Sequence, residues 1–170
     1  MKQEWGINMR KLARQIAFLL IYSSDMGQTD YQDVLEHILH DKENLEDFLE
    51  AANIISIFPE LDEDTLESAL EDDDKAFIAD TVAGTMNNKV DIDNLINAQA
   101  KHWSTLRMMS ADKNILRMGV YELRFAEPKT EAVVVINEAV ELAKIYGDAE
   151  SYKFVNAILD AIHKKALVNE

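Results

Sequence analysis

Three bases close together, Arg10, Lys11 and Arg14, are the first side chains in the chain whose spacing suggests chemistry. They fall at the start of a helical pattern, where the positive end of the helix macrodipole favours acids and disfavours cations. A partner supplying negative charge would relieve that mismatch, although a solvated polar face accounts for the same pattern. Residues 134–159 read VVINEAVELAKIYGDAESYKFVNAIL and carry Glu150, Tyr152, Lys153 and Phe154 beside a glycine-centred bend. His37 and His40 stand one helical turn apart with Asp41 adjacent, but a third convergent metal ligand is missing. Asp62, Glu63 and Asp64 could attract cations, yet they lack the D-x-D-x-[DN]-G order of a calcium loop. Both groups read best as solvated surface. Trp103 fits a side chain that closes a core, and less often a stacking platform for a base.

The elements that must position these residues all read as helices. Asn8 can cap a helix running to about Asp25, with Leu12, Ile16, Leu19 and Leu20 as its buried stripe, Ala13 and Ala17 beside it, and the three bases on its other face. MGQTD breaks the pattern, and Tyr31, Val34, Leu35 and Ile38 mark a short second helix. Leu45, Phe48, Leu49, Ala52 and Ile55 have helical spacing up to Pro59, and a short segment around Leu66 and Leu70 follows. Residues 76–87 form a helix with Phe77, Ile78, Val82 and Met86 inward. Asp91 is expected to cap residues 92–101, which offer Leu95, Ile96 and Ala98 for burial. Ser110 is expected to cap residues 111–125, where Ile115, Leu116, Gly119, Val120 and Leu123 face inward and Gly119 permits close helix approach. Glu127-Pro128 then interrupts.

The β-branched stretch from Val133 to Ile136 argues locally for a strand. No other segment alternates with period two, so it reads as the start of a helix buried on several sides. That helix continues through Ala139, Val140 and Ala143. Gly147 would end it in a left-handed conformation, Asp148 would cap the next helix, and Phe154, Val155, Ile158, Leu159 and Ile162 rebuild an apolar stripe. The fold class is therefore all-α. The expected organisation is a single domain of two packed helical subdomains with about seven core helices, spanning 8–88 and 89–166, the first including an acidic, partly helical insertion at 41–74.

The net charge of −15 over 170 residues argues at first against a nucleic-acid partner. Its distribution reverses that inference, because residues 41–74 carry −13 of it while residues 1–26 carry +2. Absence of cysteine excludes disulfides, thiolate zinc sites and cysteine nucleophiles, and it suits a reducing compartment. No apolar run approaches a membrane span, and the start, MKQEWGINMRK, lacks the hydrophobic core of a signal peptide. A soluble cytoplasmic protein without a membrane role is expected, and removal of residues 41–74 is expected to leave a cooperative fold.

Three stretches carry a family resemblance: RKLARQIAFLLIY at 10–22, NILRMGVYEL at 114–123, and INEAVELAKIYGDAESYKFVNAILD at 136–160. Together they resemble the NusB family of transcription antitermination factors, over residues 9–40 and about 75–165. The resemblance implies an all-α, non-catalytic, cofactor-free protein. It implies pairing with a ribosomal small-subunit protein, NusE in this role, and binding of the boxA element of nascent ribosomal RNA leaders within the transcription elongation complex. Carried over by position, Arg10, Lys11 and Arg14 would contact phosphates with Tyr22 nearby, and Glu150, Ser151, Lys153 and Phe154 would touch RNA. Asp112 and Arg117 would face the protein partner.

Physical chemistry agrees, since single-stranded RNA needs a basic track for its backbone and exposed aromatics for its unstacked bases. Lys153 and Phe154 beside a helix N-terminus supply both in miniature. Glu150 fits equally well as an acid complementing the macrodipole. The family often carries arginine where this chain has Leu12, which implies weaker RNA affinity. Two other readings are a helical protein-binding adaptor and an accessory domain of an RNA methyltransferase system. A homodimer hiding the basic face is compatible with the same residues.

Overall fold

The computed structural model describes residues 8–61 and 69–169, so Asp62, Glu63, Asp64 and Leu66 lie outside the described residues. Among the described residues there are nine α-helices and one π-helical turn, with no strand. They divide into two compact units, Met1–Asp80 and Thr81–Glu170. The division falls inside a helix, eight residues before the expected boundary at residue 88.

In the first unit, α1 (Met9–Gly27) starts where Asn8 Oδ1 accepts the backbone N–H groups of Arg10 and Lys11, at 3.1 and 3.3 Å. These are two of the donors that a helix start leaves without partners. Leu12, Ile16, Leu20 and Ile21 are buried with Ala13, Ala17 and Phe18, while Leu19 is only half-buried. The helix ends at Gln28, which takes a left-handed conformation (φ 50°). Asp30 then caps α2 (Tyr31–Val34) by accepting the Gln32 N–H at 2.8 Å, and a π-helical turn (Leu35–Leu39) follows.

The acidic stretch is built into this unit. Asp41 caps α3 (Lys42–Ala51) through the Asn44 N–H at 2.9 Å, and Leu45 and Leu49 are buried as the spacing requires. The helix stops well before Pro59, because Asn53 adopts a left-handed conformation (φ 53°) and resets the phase ahead of α4 (Ile54–Ile57). Ile54, Phe58 and Leu61 therefore point inward, and Ile55 does not. Six side chains of this stretch, counting Leu70, are buried in the core, which weighs against the expectation that its removal leaves a cooperative fold.

Helix α5 (Asp72–Asn87) begins earlier than expected because Asp72, Asp73 and Asp74 occupy its first turn, where the macrodipole stabilises acids. Asp74 also reaches back to accept the Glu71 N–H at 3.1 Å. Ile78 and Val82 are buried, and Phe77 and Met86 are half-buried.

In the second unit, α6 (Lys89–Ala100) starts at Asn88, which places Asp91 inside the first turn instead of at the cap. Its inward row is Ile92, Ile96 and Ala100, whereas Ala98 is exposed. Helix α7 (Ser110–Arg124) includes Ser110 as its first residue, and no side chain caps it. Helix α8 (Ala132–Tyr146) follows a connection holding a cis Glu127–Pro128 peptide, and α9 (Ser151–Val168) ends the described fold.

Helix α9 packs against α8, α7 and α6, and α7 packs against α8 and α6. Glycine sets two of the approaches: a Cβ on Gly119 would stand 2.9 Å from Leu159 Cδ1, and one on Gly84 would collide with the Tyr121 ring. The valine run is helical as expected, but only Val135 and Ile136 are buried, while Val133 and Val134 face outward. No helix among the described residues is long and apolar enough to cross a membrane.

Leu49 is fully buried, so Leu49→Ala is expected to lower the unfolding free energy by roughly 2–5 kcal/mol. Urea denaturation followed by circular dichroism measures this, and a loss well under 1 kcal/mol would show that the acidic stretch is peripheral after all.

Candidate nucleic-acid interface

The corner between α8 and α9 is built by short-range bonds. Gly147 is extended (φ −91°, ψ −172°) and not left-handed as its position suggested. Glycine is required there for space, because a Cβ would collide with the Ser151 side chain and approach the Ala143 carbonyl oxygen at 2.7 Å. The N-cap position of α9 falls on Glu150, not Asp148, and Asp148 instead closes the turn before it: its Oδ1 accepts the backbone N–H groups of Glu150 and Ser151 at 2.9 and 3.0 Å and the Ser151 hydroxyl at 3.2 Å. Ser151 Oγ returns the contact by accepting the Asp148 N–H at 2.9 Å. The Glu150 N–H bond, with further help from Ser151, holds the Asp148 carboxyl below the usual carboxylate range.

Past this turn, the exposed carboxylate of Glu150 lies 3.5 Å from Lys153 Nζ. Lys144 and Lys153 each place an ammonium group 5.8 Å from the centre of the Tyr152 ring. Exposed pairs of this kind are worth little and exchange readily for a phosphate. The rim of the corner thus carries two exposed ammonium groups beside an aromatic ring, each paired with a carboxylate, Lys144 with Glu141 at 3.1 Å and Lys153 with Glu150.

Beside this rim lies a cleft of about 290 Å³ whose lining includes Trp103, Arg107, Asp112, Asp148, Glu150 and Phe154. Trp103 is 57 % exposed, so it does not close a core. Asp112, at the front of α7, is only 7 % exposed, and its Oδ1 has no hydrogen-bond partner. Burial pushes its carboxyl above the usual range, a hydrogen bond from Ser151 pulls it back, and the nearby Asp148 charge raises it again. The structure therefore brings Asp112 together with Glu150, Ser151 and Phe154.

Arg117 has a different role. Its side chain is 4 % exposed and forms a two-pronged pair with Asp93, Nε to Oδ1 and Nη2 to Oδ2, both at 2.8 Å. A third bond joins Nη1 to Asn114 Oδ1 at 3.2 Å. This pair ties α7 to α6.

In the first unit the expected basic face divides. Arg10 is exposed and stacks its guanidinium 4.2 Å above the Phe77 ring, and Lys11 is partly exposed. Arg14 is only 4 % exposed, with its guanidinium 5.4 Å from the same ring, so it belongs to the packed side of α1. Tyr22 is half-buried against Phe18, with ring centres 5.9 Å apart. His37 and His40 are exposed, and His40 lines a cleft with Lys42 and Lys75, whose charges disfavour a metal ion.

The sequence pattern that defines the NusB family matches residues 11–164. The chain belongs to the NusB family. The transcription antitermination protein NusB of Elusimicrobium minutum (strain Pei191) is 33 % identical over 92 % of this chain and 94 % of that one. Among solved structures, NusB of T. maritima has a TM-score of 0.67 and 30 % identity, covering 92 % of this chain and 91 % of its own. A crystal structure of antitermination factors NusB and NusE in complex with double-stranded RNA matches with a TM-score of 0.67 and 28 % identity, over 94 % and 98 % of the two chains.

Three residues that sequence reasoning did not single out also stand at this site, Arg107 and Met109 in the cleft lining and Lys144 beside Tyr152; their only signal was adjacency to Trp103 or to the corner, which carries no chemical specificity.

Two stability measurements follow from the geometry. Arg117→Ala strands Asp93 without its partner and is expected to cost roughly 3–5 kcal/mol in chemical denaturation; a cost within 0.5 kcal/mol would mean that the pair does not secure α7. Asp112 has a raised folded-state pKa, so ionisation above the usual carboxylate range penalises the folded state. Asp112→Asn should therefore raise the melting temperature at neutral pH, and the gain should vanish as pH falls below that range. Asp148 has the opposite sign: it stabilises above the usual carboxylate range and ceases to do so as pH falls through its lowered pKa. A melting-temperature difference for Asp112→Asn that does not change with pH would contradict this account.

Proposed function

We propose that this chain is a non-catalytic transcription antitermination factor that binds boxA-type single-stranded RNA of nascent ribosomal leaders together with a NusE-type ribosomal small-subunit protein. It acts in the transcription elongation complex, and so in the cytoplasm. The observation that carries this reading is the corner at the start of α9, which sets Lys153, Tyr152 and Phe154 beside an exposed Trp103. Cations for a backbone next to aromatic faces for unstacked bases are what single-stranded RNA requires. Relatives named as transcription antitermination proteins support the role, and a solved complex of NusB and NusE with double-stranded RNA supports the pairing with a NusE-type partner and contact with RNA.

Within this reading Arg10, Lys11, Lys144 and Lys153 neutralise phosphates. Arg14 orders the Phe77 ring on which Arg10 rests, and Tyr22 sits nearby on α1. Glu150 and Ser151 shape the start of α9 next to Phe154. Asp112 and Arg117 are buried, so the protein partner is assigned to exposed side chains at the front of α7, Leu106 and Met109.

Fluorescence anisotropy with a boxA-like RNA, with and without the NusE-type partner, tests the proposal. The partner should tighten binding, and the single strand should bind better than a duplex of the same sequence. Four neutralised phosphates imply a slope of log K against log salt near about −3, at roughly −0.7 per contact. The double substitution Arg10→Gln, Lys11→Gln should flatten that slope by about 1.4 and weaken binding. An unchanged slope would remove α1 from the interface, and absence of RNA binding with the partner present would leave a protein-binding adaptor.

A further inference from the structure

The cleft of the first unit differs in charge from everything around it. It has a volume of about 440 Å³ and lies between the starts of α3 and α5. Between Arg14 and Lys89 the chain holds two lysines and no arginine, and both lysines, Lys42 and Lys75, line this cleft. His40 joins them from the end of the π-helical turn, a rare backbone form that recurs at functional sites. Lys42 opens α3 and Asp72 opens α5, so two positive macrodipole ends border the same space. Buried Leu39 and Leu45, with Ala76 and Ala79, supply an apolar floor. Among the described residues of the lining, Asp72 alone is acidic, which leaves the cleft net positive beside the stretch that carries −13. Two neighbouring acids are engaged with their own helix starts, Asp41 with the Asn44 N–H at 2.9 Å and Asp74 with the Glu71 N–H at 3.1 Å. Glu46 meets Lys42 at 3.9 Å with both side chains exposed, a pair weak enough to yield to a stronger anion.

From this convergence we infer that the cleft binds a small organic phosphate monoester, with its phosphate on Lys42, Lys75 and His40 and its body against the leucine and alanine floor. The site shares no residue with the RNA contacts proposed above, and the inference does not rest on them. A phosphate monoester carries about −1.5 to −2 at pH 7 and has three terminal oxygens, which match two ammonium groups and an imidazole N–H. A carboxylate brings one unit of charge and two oxygens. An RNA phosphodiester also brings one unit, and the strand on either side of it would cross the exposed acids that flank the two helix starts, Asp41, Glu43 and Asp73. The cleft thus favours a compact dianion over a long polyanion. Its volume lies in the range of small-molecule pockets and suits a ligand of mononucleotide size.

The experiment titrates adenosine monophosphate and inorganic phosphate onto the full isotope-labelled chain at constant ionic strength, with adenosine and acetate as controls. Binding is read from backbone amide shifts in nuclear magnetic resonance spectra. Both phosphates should give saturable shifts confined to residues 39–45 and 72–79, and adenosine monophosphate should bind the tighter because it also covers the floor. Adenosine and acetate should not saturate. The double substitution Lys42→Gln, Lys75→Gln should weaken adenosine monophosphate by roughly tenfold or more, as expected for charge-assisted hydrogen bonds. Ala76→Phe, at an exposed position, fills the cleft with both lysines in place and should weaken adenosine monophosphate more than inorganic phosphate.

Absence of saturable shifts with either phosphate would overturn the inference, as would a lysine double variant that binds like the parent. Adenosine binding as tightly as its monophosphate would show that the cations play no part in recognition. A boxA-like RNA that displaces adenosine monophosphate from the same amides would assign the cleft to the RNA interface, against this inference.

Discussion

The geometry of the second unit depends on a missing carbon atom at Gly147. With no Cβ there, the Ser151 side chain folds back against the end of α8, and the turn between α8 and α9 closes within four residues. That closure lets Asp148 accept the backbone N–H groups of Glu150 and of Ser151, the first residue of α9, while its own N–H bonds to Ser151 Oγ. A side chain at Gly147 would push α9 outward. The same displacement would carry Glu150 and Phe154 away from Trp103 and Asp112, with which they share a cleft. Local covalent structure and the candidate site are thus coupled through one van der Waals contact.

The site also divides its charges by depth. Ammonium groups of Lys144 and Lys153 stand at the exposed rim around Tyr152, whereas the cleft itself is lined by carboxylates. Each of these ammonium groups is paired at the surface, Lys144 with Glu141 and Lys153 with Glu150. Asp112 pays for this arrangement in stability, since burial and the neighbouring Asp148 both disfavour its ionised form. Groups held at a thermodynamic disadvantage cluster at binding sites, where a ligand relieves them.

Acidity elsewhere in the chain has a simpler physical meaning. Among its described residues, the stretch that holds most of the net negative charge leaves its acids exposed or half-buried and puts Leu45, Leu49, Ile54, Phe58, Leu61 and Leu70 into the first unit's core. Its caps, Asp41 and the Asp72–Asp74 turn, use acids where helix N-termini favour them. Net charge therefore misdescribes the chain as a whole, because local charge differs sharply between this stretch and α1.

Periodic apolar spacing alone located the long helices, and the side-chain cap at Asn8 was legible because a cap involves residues two or three apart. The resemblance carried by three short stretches named the family for the same reason, since motif wording is local. What could not be read was burial that depends on distant neighbours. Arg14 lies against Phe77, more than sixty positions away, and so leaves the exposed basic face. Arg117 is claimed by Asp93 on another helix, and Trp103 stays exposed. Asp112 meets the α9 corner only when α7 and α9 pack, with Gly119 admitting Leu159. Sequence by itself determined which segments coil and what chemistry each could offer, because those properties act over one or two helical turns. Only the tertiary structure decided which of those side chains face one another, because that depends on how helices distant in sequence fill the same space.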